Sequence, residues 1–499
     1  MACMSPILDL LAAGQVSATA IAAPGRPPLT SREVREQVTK LGGQLAAAGI
    51  SPTDRVAIIL PNGPEMALAF LACSAHAAAA PLNPAYREAE VRFYLEDLRA
   101  RALIVAPGAP AHDLPPGVAL LTLEGEPGNL TLAREGRQLP VAAATPATAE
   151  DVALLLHTSG TTARPKLVPL TGANLAASAR NIAATLQLSP ADRCLNIMPL
   201  FHIHGLIAAL LASLSAGASV VCTPGFDAFR FFEWLSEFHP TWYTAVPTMH
   251  QGILARGSRQ REGIARDPLR FIRSSSAALP PSVLASLEAL FGAPVVEAYG
   301  MTEASHQMCS NPLPPRAHKP GSVGPGAGAE VRILGGEGGF LDPGARGEVV
   351  IRGPGVTAGY ERNPEANATA FHEGWFRTGD EGYLDEDGYL FLTGRLKEMI
   401  NRGGEKVSPV EVEEVLLLHP AVAQAAVFAI PHERLGEEVG AAVVLREGAA
   451  VTERELRDHC GATLAAFKVP RRVMLLDEIP KGPTGKLQRI GLAQRLGVG

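Results

Sequence analysis

The chain has 499 residues, 47% of them apolar, with 50 glycines and 41 prolines. That is too long for one simple core and predicts two or more domains with many turns, as in a large α/β enzyme. A net charge of −6 without any acidic or basic block argues against a nucleic-acid surface, and six scattered cysteines argue against both a zinc site and a secreted disulfide framework. A reducing, cytoplasmic setting is expected. No Lys/Arg-led apolar leader is present. The apolar runs 66–82 and 206–222 approach the lower length limit of a membrane span. His76 in the first, and Gly217 with three serines in the second, make each a helix followed by a strand.

Thr30-Ser31-Arg32-Glu33 reads as a helix start with its cap, and Leu41, Leu45 and Ala48 follow at helical spacing. A buried strand over 55–60 ends at the turn Pro61-Asn62-Gly63-Pro64. Helix 66–75, strand 79–82, helix 88–98 and strand 102–106 then repeat β-α-β, which predicts a parallel sheet covered by helices. Residues 107–116 and 125–148 are rich in Pro, Gly and Ala and read as loops.

An apolar strand over 152–156 leads into Thr158-Ser159-Gly160-Thr161-Thr162-Ala163-Arg164-Pro165-Lys166. Hydroxyls and free backbone N–H groups in a tight loop form a concave donor surface for phosphate oxygens, and Lys166 adds a positive charge. The same composition also fits a plain surface turn. It is not a Walker loop, having one glycine, an interrupting Pro165, and Leu167 where magnesium would need a hydroxyl.

A helix over 172–186 follows, then a strand over 195–198 ending at Pro199-Leu200-Phe201-His202-Ile203-His204-Gly205. With His250 this raises a metal reading, but no carboxylate or cysteine stands beside the His-x-His. Helix 229–238 and strands 242–246 and 271–273 come next. The last opens into Ser274-Ser275-Ser276-Ala277-Ala278, where an open α/β sheet collects ligands, or which is simply a small-residue turn. A strand then runs into Tyr299-Gly300-Met301-Thr302-Glu303. Short strands over 330–334 and 347–352 predict a small β subdomain. Asp380 closes Arg377-Thr378-Gly379-Asp380; a β-turn aspartate is the plain alternative there. Beyond Lys397, where charge and glycine cluster as at a linker, helix 409–418, strands 423–429 and 439–445 and helix 453–464 form a small α+β unit. Pro480-Lys481-Gly482-Pro483-Thr484-Gly485-Lys486 follows near the end.

Five of these motifs, in order from Leu156 to Arg489, resemble those of the acyl-activating, adenylate-forming enzymes: acyl-CoA synthetases, adenylation domains and firefly-type luciferases. Ala163 departs from the pattern, which usually has glycine there. The resemblance implies a large N-terminal domain of parallel α/β sheets with a small β subdomain (1–396) and a small mobile α+β C-terminal domain (397–499). It implies ATP, Mg²⁺, CoA and a small carboxylic acid as ligands. Thr158, Ser159, Gly160, Thr161, Thr162 and Lys166 would hold the pyrophosphate side, and Tyr299, Gly300 and Met301 the adenine side. Thr302 would touch the α-phosphate, Glu303 would hold Mg²⁺, and Asp380 and Arg395 would bind the nucleotide. Gly403 and Gly404 would line the thiol tunnel, Lys397 would be the hinge, and Lys486 the catalytic lysine bridging the acyl carboxylate and α-phosphate.

Within that family, residues 302–314, 318–324 and 199–205 resemble the oxalate–CoA ligases. A second carboxylate buried without partners would be very costly. His306 and Ser276 are placed in sequence to donate to it, with His202 as a helper. A medium-chain or aryl acid ligase, and an adenylation enzyme loading a carrier protein, share the core motifs.

Overall fold

The computed structural model describes residues 5–110, 112–158, 165–257, 259–480, 487 and 489–498. The chain divides into two compact units. One comprises 1–279, 283–331 and 351–376, the other 280–282, 332–350 and 377–499.

The first unit carries two eight-stranded sheets. In one, Val152–Thr158, Ala78–Pro81, Arg55–Ile59, Ala102–Val105 and Ala119–Glu124 run parallel, as β-α-β repetition requires. The helices are set by local chemistry. The Thr30 side chain accepts from the Glu33 N–H while the Glu33 carboxylate takes the Thr30 N–H, which starts Ser31–Ala47. The two apolar runs resolve as a helix and then a strand: Pro64–His76 and Ala78–Pro81, then a helical stretch from His204 to Ser215 and Ser219–Cys222. Among the described residues no helix is long and apolar enough to cross a membrane.

The sheets also carry antiparallel strands: Lys166–Thr171, Thr131–Arg134, Arg26–Thr30 and His306–Ser310 pair antiparallel at or near the edges. One expectation needs correction. The stretch 125–148 is not all loop, because Thr131–Arg134 and Arg137–Gln138 form a hairpin. Strands of four and two residues are too short to show alternation in sequence. The phosphate loop joins the antiparallel strands Val152–Thr158 and Lys166–Thr171, and the expected helix follows as Gly172–Thr185.

The second sheet positions the acyl site. Its order runs His306–Ser310, Val295–Met301, Phe271–Ser275, Trp242–Ala245, Arg193–Asn196 and Ser219–Cys222, parallel except at the first pair. Leu195, Tyr243 and Ile272 turn to one face, where they pack with Phe231, Trp234 and Leu287. The residues between them turn to the other face, because side chains alternate along a strand. There a π-helical segment, His204–Leu211, packs between Gly172–Thr185 and the strands. Widened turns of this kind concentrate at functional sites.

In the second unit, residues 380–384 pair antiparallel with Leu390–Arg395. A further sheet comprises Ile400–Arg402, Glu405–Val407, Val422–His432, Gly436–Leu445 and Arg472–Leu475. Helices Pro409–Leu418 and Glu453–Thr463 cover it through Val412, Leu416, Leu456 and Cys460.

Candidate active site

Thr158 ends one strand and Lys166 begins the next, paired directly opposite each other. Ser159, Gly160, Thr161 and Thr162 lie outside the described residues, as does Lys486. Lys166 Nζ stands 4.3 Å over the ring of Tyr360, a cation–π distance. The Tyr360 hydroxyl donates to Glu303 Oε1 at 2.9 Å. One aromatic residue thus couples the lysine expected at phosphate to the carboxylate expected at metal. The sequence reading missed Tyr360, although its position after Gly359 was visible.

Val295–Met301 delivers Tyr299, Gly300 and Met301 in extended backbone, and a single 3₁₀ turn, Thr302–Ala304, holds Thr302 and the buried Glu303. The Thr357 N–H donates to the Glu303 carbonyl at 2.7 Å and pins that turn. The chain then reverses through two left-handed residues, Ser305 (φ 50°) and His306 (φ 98°). Non-glycine residues reach this region only where the surroundings hold them. Two contacts do so here. Ser178 Oγ donates to the Ser305 carbonyl at 2.6 Å. The His306 carbonyl lies where a Cβ on Gly300 would stand, only 2.0 Å from it. Gly300 is therefore needed to let His306 approach.

His306 and Ser276 meet through a residue given no acyl-site role in the sequence reading. His204 Nδ1 is 3.1 Å from Ser276 Oγ, and the His204 and His306 rings are 4.8 Å apart. Ser276 is also left-handed, at φ 73°, just beyond the strand Phe271–Ser275. The His202 ring lies 4.6 Å from that of Phe201, tilted at 51° to it. Two of the histidines are engaged in hydrogen bonds: His204 Nε2 with Thr244 Oγ1 at 2.6 Å, and buried His250 with the Tyr243 hydroxyl at 3.1 Å. Among the described residues no three His, Cys, Asp or Glu side chains converge as a metal would need.

In the second unit, Asp380 is buried and stands opposite Arg395, whose Nε donates to Asp380 Oδ1 at 3.0 Å. The Asp380 N–H donates to Thr378 Oγ1. Lys397 is exposed, in the turn after Arg395. Gly403 (φ 61°) and Gly404 (φ 96°) are the two turn residues of the hairpin Ile400–Arg402 and Glu405–Val407. Positive φ at both is the geometry of a type I′ turn, which by itself requires such residues. Arg489, three positions beyond Lys486, is bound by Glu413 at 2.8 Å and Glu398 at 2.9 Å. Those carboxylates hold its guanidinium well above its ordinary pKa.

A model of the AMP-binding enzyme family matches residues 10–361, and one of the AMP-binding enzyme C-terminal domain matches 411–486. The chain is 47% identical to the oxalate–CoA ligase of Arabidopsis thaliana, over 98% of each chain. It is 42% identical to the oxalate–CoA ligase of Saccharomyces cerevisiae, over 88% of this chain and 86% of that one. The solved structure of o-succinylbenzoate coenzyme A synthetase from Bacillus subtilis, with ATP and magnesium ion, superposes with a TM-score of 0.84 at 30% identity, over 98% of this chain and 99% of that one. The chain belongs to the AMP-binding enzyme family.

Proposed function

We propose that this protein is an ATP-dependent acid–CoA ligase that acts through an acyl adenylate, with oxalate as the acid. A carboxylate resists nucleophilic attack because it is anionic and lacks a leaving group. In the first step its oxygen bonds to the α-phosphorus of ATP and the bond to pyrophosphate breaks. In the second the CoA sulfur bonds to the acyl carbon and AMP leaves with the bonding pair. Charge builds on phosphate oxygens, so fixed donors and cations carry the stabilisation.

The observation that carries the choice of acid is the cluster Ser276–His204–His306. A hydroxyl and two imidazoles suit a short acid whose second carboxylate must remain hydrogen-bonded. They do not suit an aliphatic tail. We assign the distal carboxylate to His306 and Ser276, with His202 as a helper.

The remaining roles follow the resemblance and are proposals. The loop Thr158–Thr162 and Lys166 take pyrophosphate, while Tyr299, Gly300 and Met301 take adenine. Thr302 takes the α-phosphate, and Asp380 and Arg395 the ribose side. Gly403 and Gly404 face the thiol, Lys486 is the catalytic lysine, and Lys397 is the hinge between 1–396 and 397–499. Glu303 fits Mg²⁺: it is a buried hard-oxygen donor, and Mg²⁺ with polyphosphate needs few protein ligands. Bound there, Mg²⁺ would neutralise charge on the phosphates. A reducing cytoplasm suits the buried free thiols of Cys73, Cys194, Cys222, Cys309 and Cys460.

The test is AMP and pyrophosphate release with ATP, Mg²⁺ and CoA against oxalate, malonate, acetate, octanoate and 4-coumarate. Oxalate should be used best, and His306→Ala should raise its KM or lower its kcat. Preference for an apolar acid would remove oxalate and return Ser276 and His306 to structural roles.

A further inference from the structure

Beneath the acyl cluster lies a fully buried cation. Arg273 is the central residue of Phe271–Ser275 and has no exposed surface. Among the described residues no polar side chain that its guanidinium reaches is a carboxylate. Nη1 lies 3.5 Å from Thr244 Oγ1 and 3.4 Å from His204 Nε2, and Nη2 lies 3.3 Å from Gln307 Oε1. These are long contacts, and Nε has no hydrogen-bond partner. Arg273 takes part in none of the ion pairs among the described residues. A buried charge without a counter-ion is expensive, and an unsatisfied one calls for an explanation. Burial lowers this guanidinium only to about 9, so it stays cationic at neutral pH.

His204 connects that charge to Ser276. Arginine can only donate. Arg273 Nη1 also faces His204 Nε2 at 3.4 Å and can only donate to it, so Nε2 is the acceptor and the imidazole proton sits on Nδ1. Thr244, 2.6 Å from Nε2, accepts from Arg273 and turns its own proton to Nε2. His204 Nδ1–H then donates to Ser276 Oγ. Having accepted, Ser276 has its own proton to offer a ligand. The order of donation runs outward from the buried cation: Arg273, Thr244, His204, Ser276.

We infer that Arg273 is a specificity-determining positioning residue: through Thr244 and His204 it sets Ser276 as a donor, and its uncompensated charge selects acids that bring a second anionic group. The inference deepens the substrate reading above and rests on it.

The test compares kcat/KM for oxalate and oxamate, in which a neutral amide of similar shape replaces the distal carboxylate. Arg273→Gln should reduce the oxalate-to-oxamate ratio at least about tenfold, the scale of one charge-assisted contact. Arg273→Lys should retain most of it. His204→Asn, whose amide nitrogen takes the place of Nδ1, should retain more of it than His204→Gln, whose amide takes the place of Nε2. An unchanged ratio in folded Arg273→Gln, in an enzyme that uses oxalate, overturns the inference alone. If Arg273→Gln does not fold, the two His204 variants decide, and equal ratios in them overturn it. A wild-type enzyme that prefers a monocarboxylic acid overturns the substrate reading, and the inference with it.

Discussion

Tyr360 donates its hydroxyl proton to Glu303 Oε1 at 2.9 Å across 57 residues of sequence. The same ring lies beneath Lys166 Nζ. Tyr360→Phe keeps the ring and removes only the proton donor. A hydrogen bond to a buried carboxylate contributes about 1.5–3 kcal/mol. ATP–pyrophosphate exchange should therefore fall about 10- to 100-fold in Tyr360→Phe, and further in Tyr360→Ala, which also loses the lysine contact. Wild-type exchange in Tyr360→Phe would show that Glu303 needs no such orientation.

Gly300 gives way to the His306 carbonyl, so Gly300→Ala cannot be accommodated without movement of the reversal at Ser305–His306. Overpacking of this kind costs about 1–3 kcal/mol. The midpoint of urea unfolding should drop, and turnover of oxalate should fall more than exchange with a monocarboxylic acid. Equal loss on both acids would separate Gly300 from the acyl site.

Asp380→Asn preserves shape but removes the charge that faces Arg395 at 3.0 Å. Arg395 is half exposed, so the stability change should be small. The KM for ATP should rise about tenfold if the carboxylate accepts from ribose hydroxyls, about 1.4 kcal/mol. Steady-state kinetics at saturating acid decide it. An unchanged KM would leave Asp380 a partner of Arg395 alone.

Arg489 is half-buried between Glu398 and the buried Glu413, and Glu413 also accepts from the Val427 N–H. Removing one partner of such a pair leaves a buried charge and costs about 3–5 kcal/mol. Arg489→Met should destabilise the second unit by that order in chemical denaturation. Adding Glu413→Leu should recover a good part of it. No recovery in the double variant would place the loss in packing.

Burial lowers the His250 imidazole from an ordinary 6.5 to about 3. The folded chain keeps it neutral while the unfolded chain protonates it. Its contribution is therefore full above the unfolded pKa and is lost as pH falls from 6.5 toward 3. Between about pH 7.5 and about pH 5.5 that loss is about 1.4 kcal/mol. His250→Asn should lose that much less than the parent over the same interval in urea titrations. Equal losses would mean that His250 titrates normally.

Local signals in the sequence carried far. Thr30 and Glu33 announce a capping box, and the helix begins at Ser31. Helix Glu88–Leu98 and strands Glu330–Leu334 and Gly347–Arg352 fall where patterning put them, because periodicity and caps act within a few residues. Short antiparallel edges such as Thr131–Arg134 escaped, having too few residues to show a period. The same holds for the π-helical turn at His204, which differs from an α-helix only in its backbone pairing.

By itself the sequence determined the alternation of elements, the order of the motifs and the family they resemble, since each is written in residues close along the chain. Only the tertiary structure decided that Tyr360 would join Lys166 to Glu303, and that His204 would stand between Ser276 and His306. It also decided that Arg273 would be buried among Thr244, His204 and Gln307. Those partners lie 29 to 69 positions from Arg273. Local propensity does not say which strands become neighbours; that is set when the sheets stack and the apolar faces close.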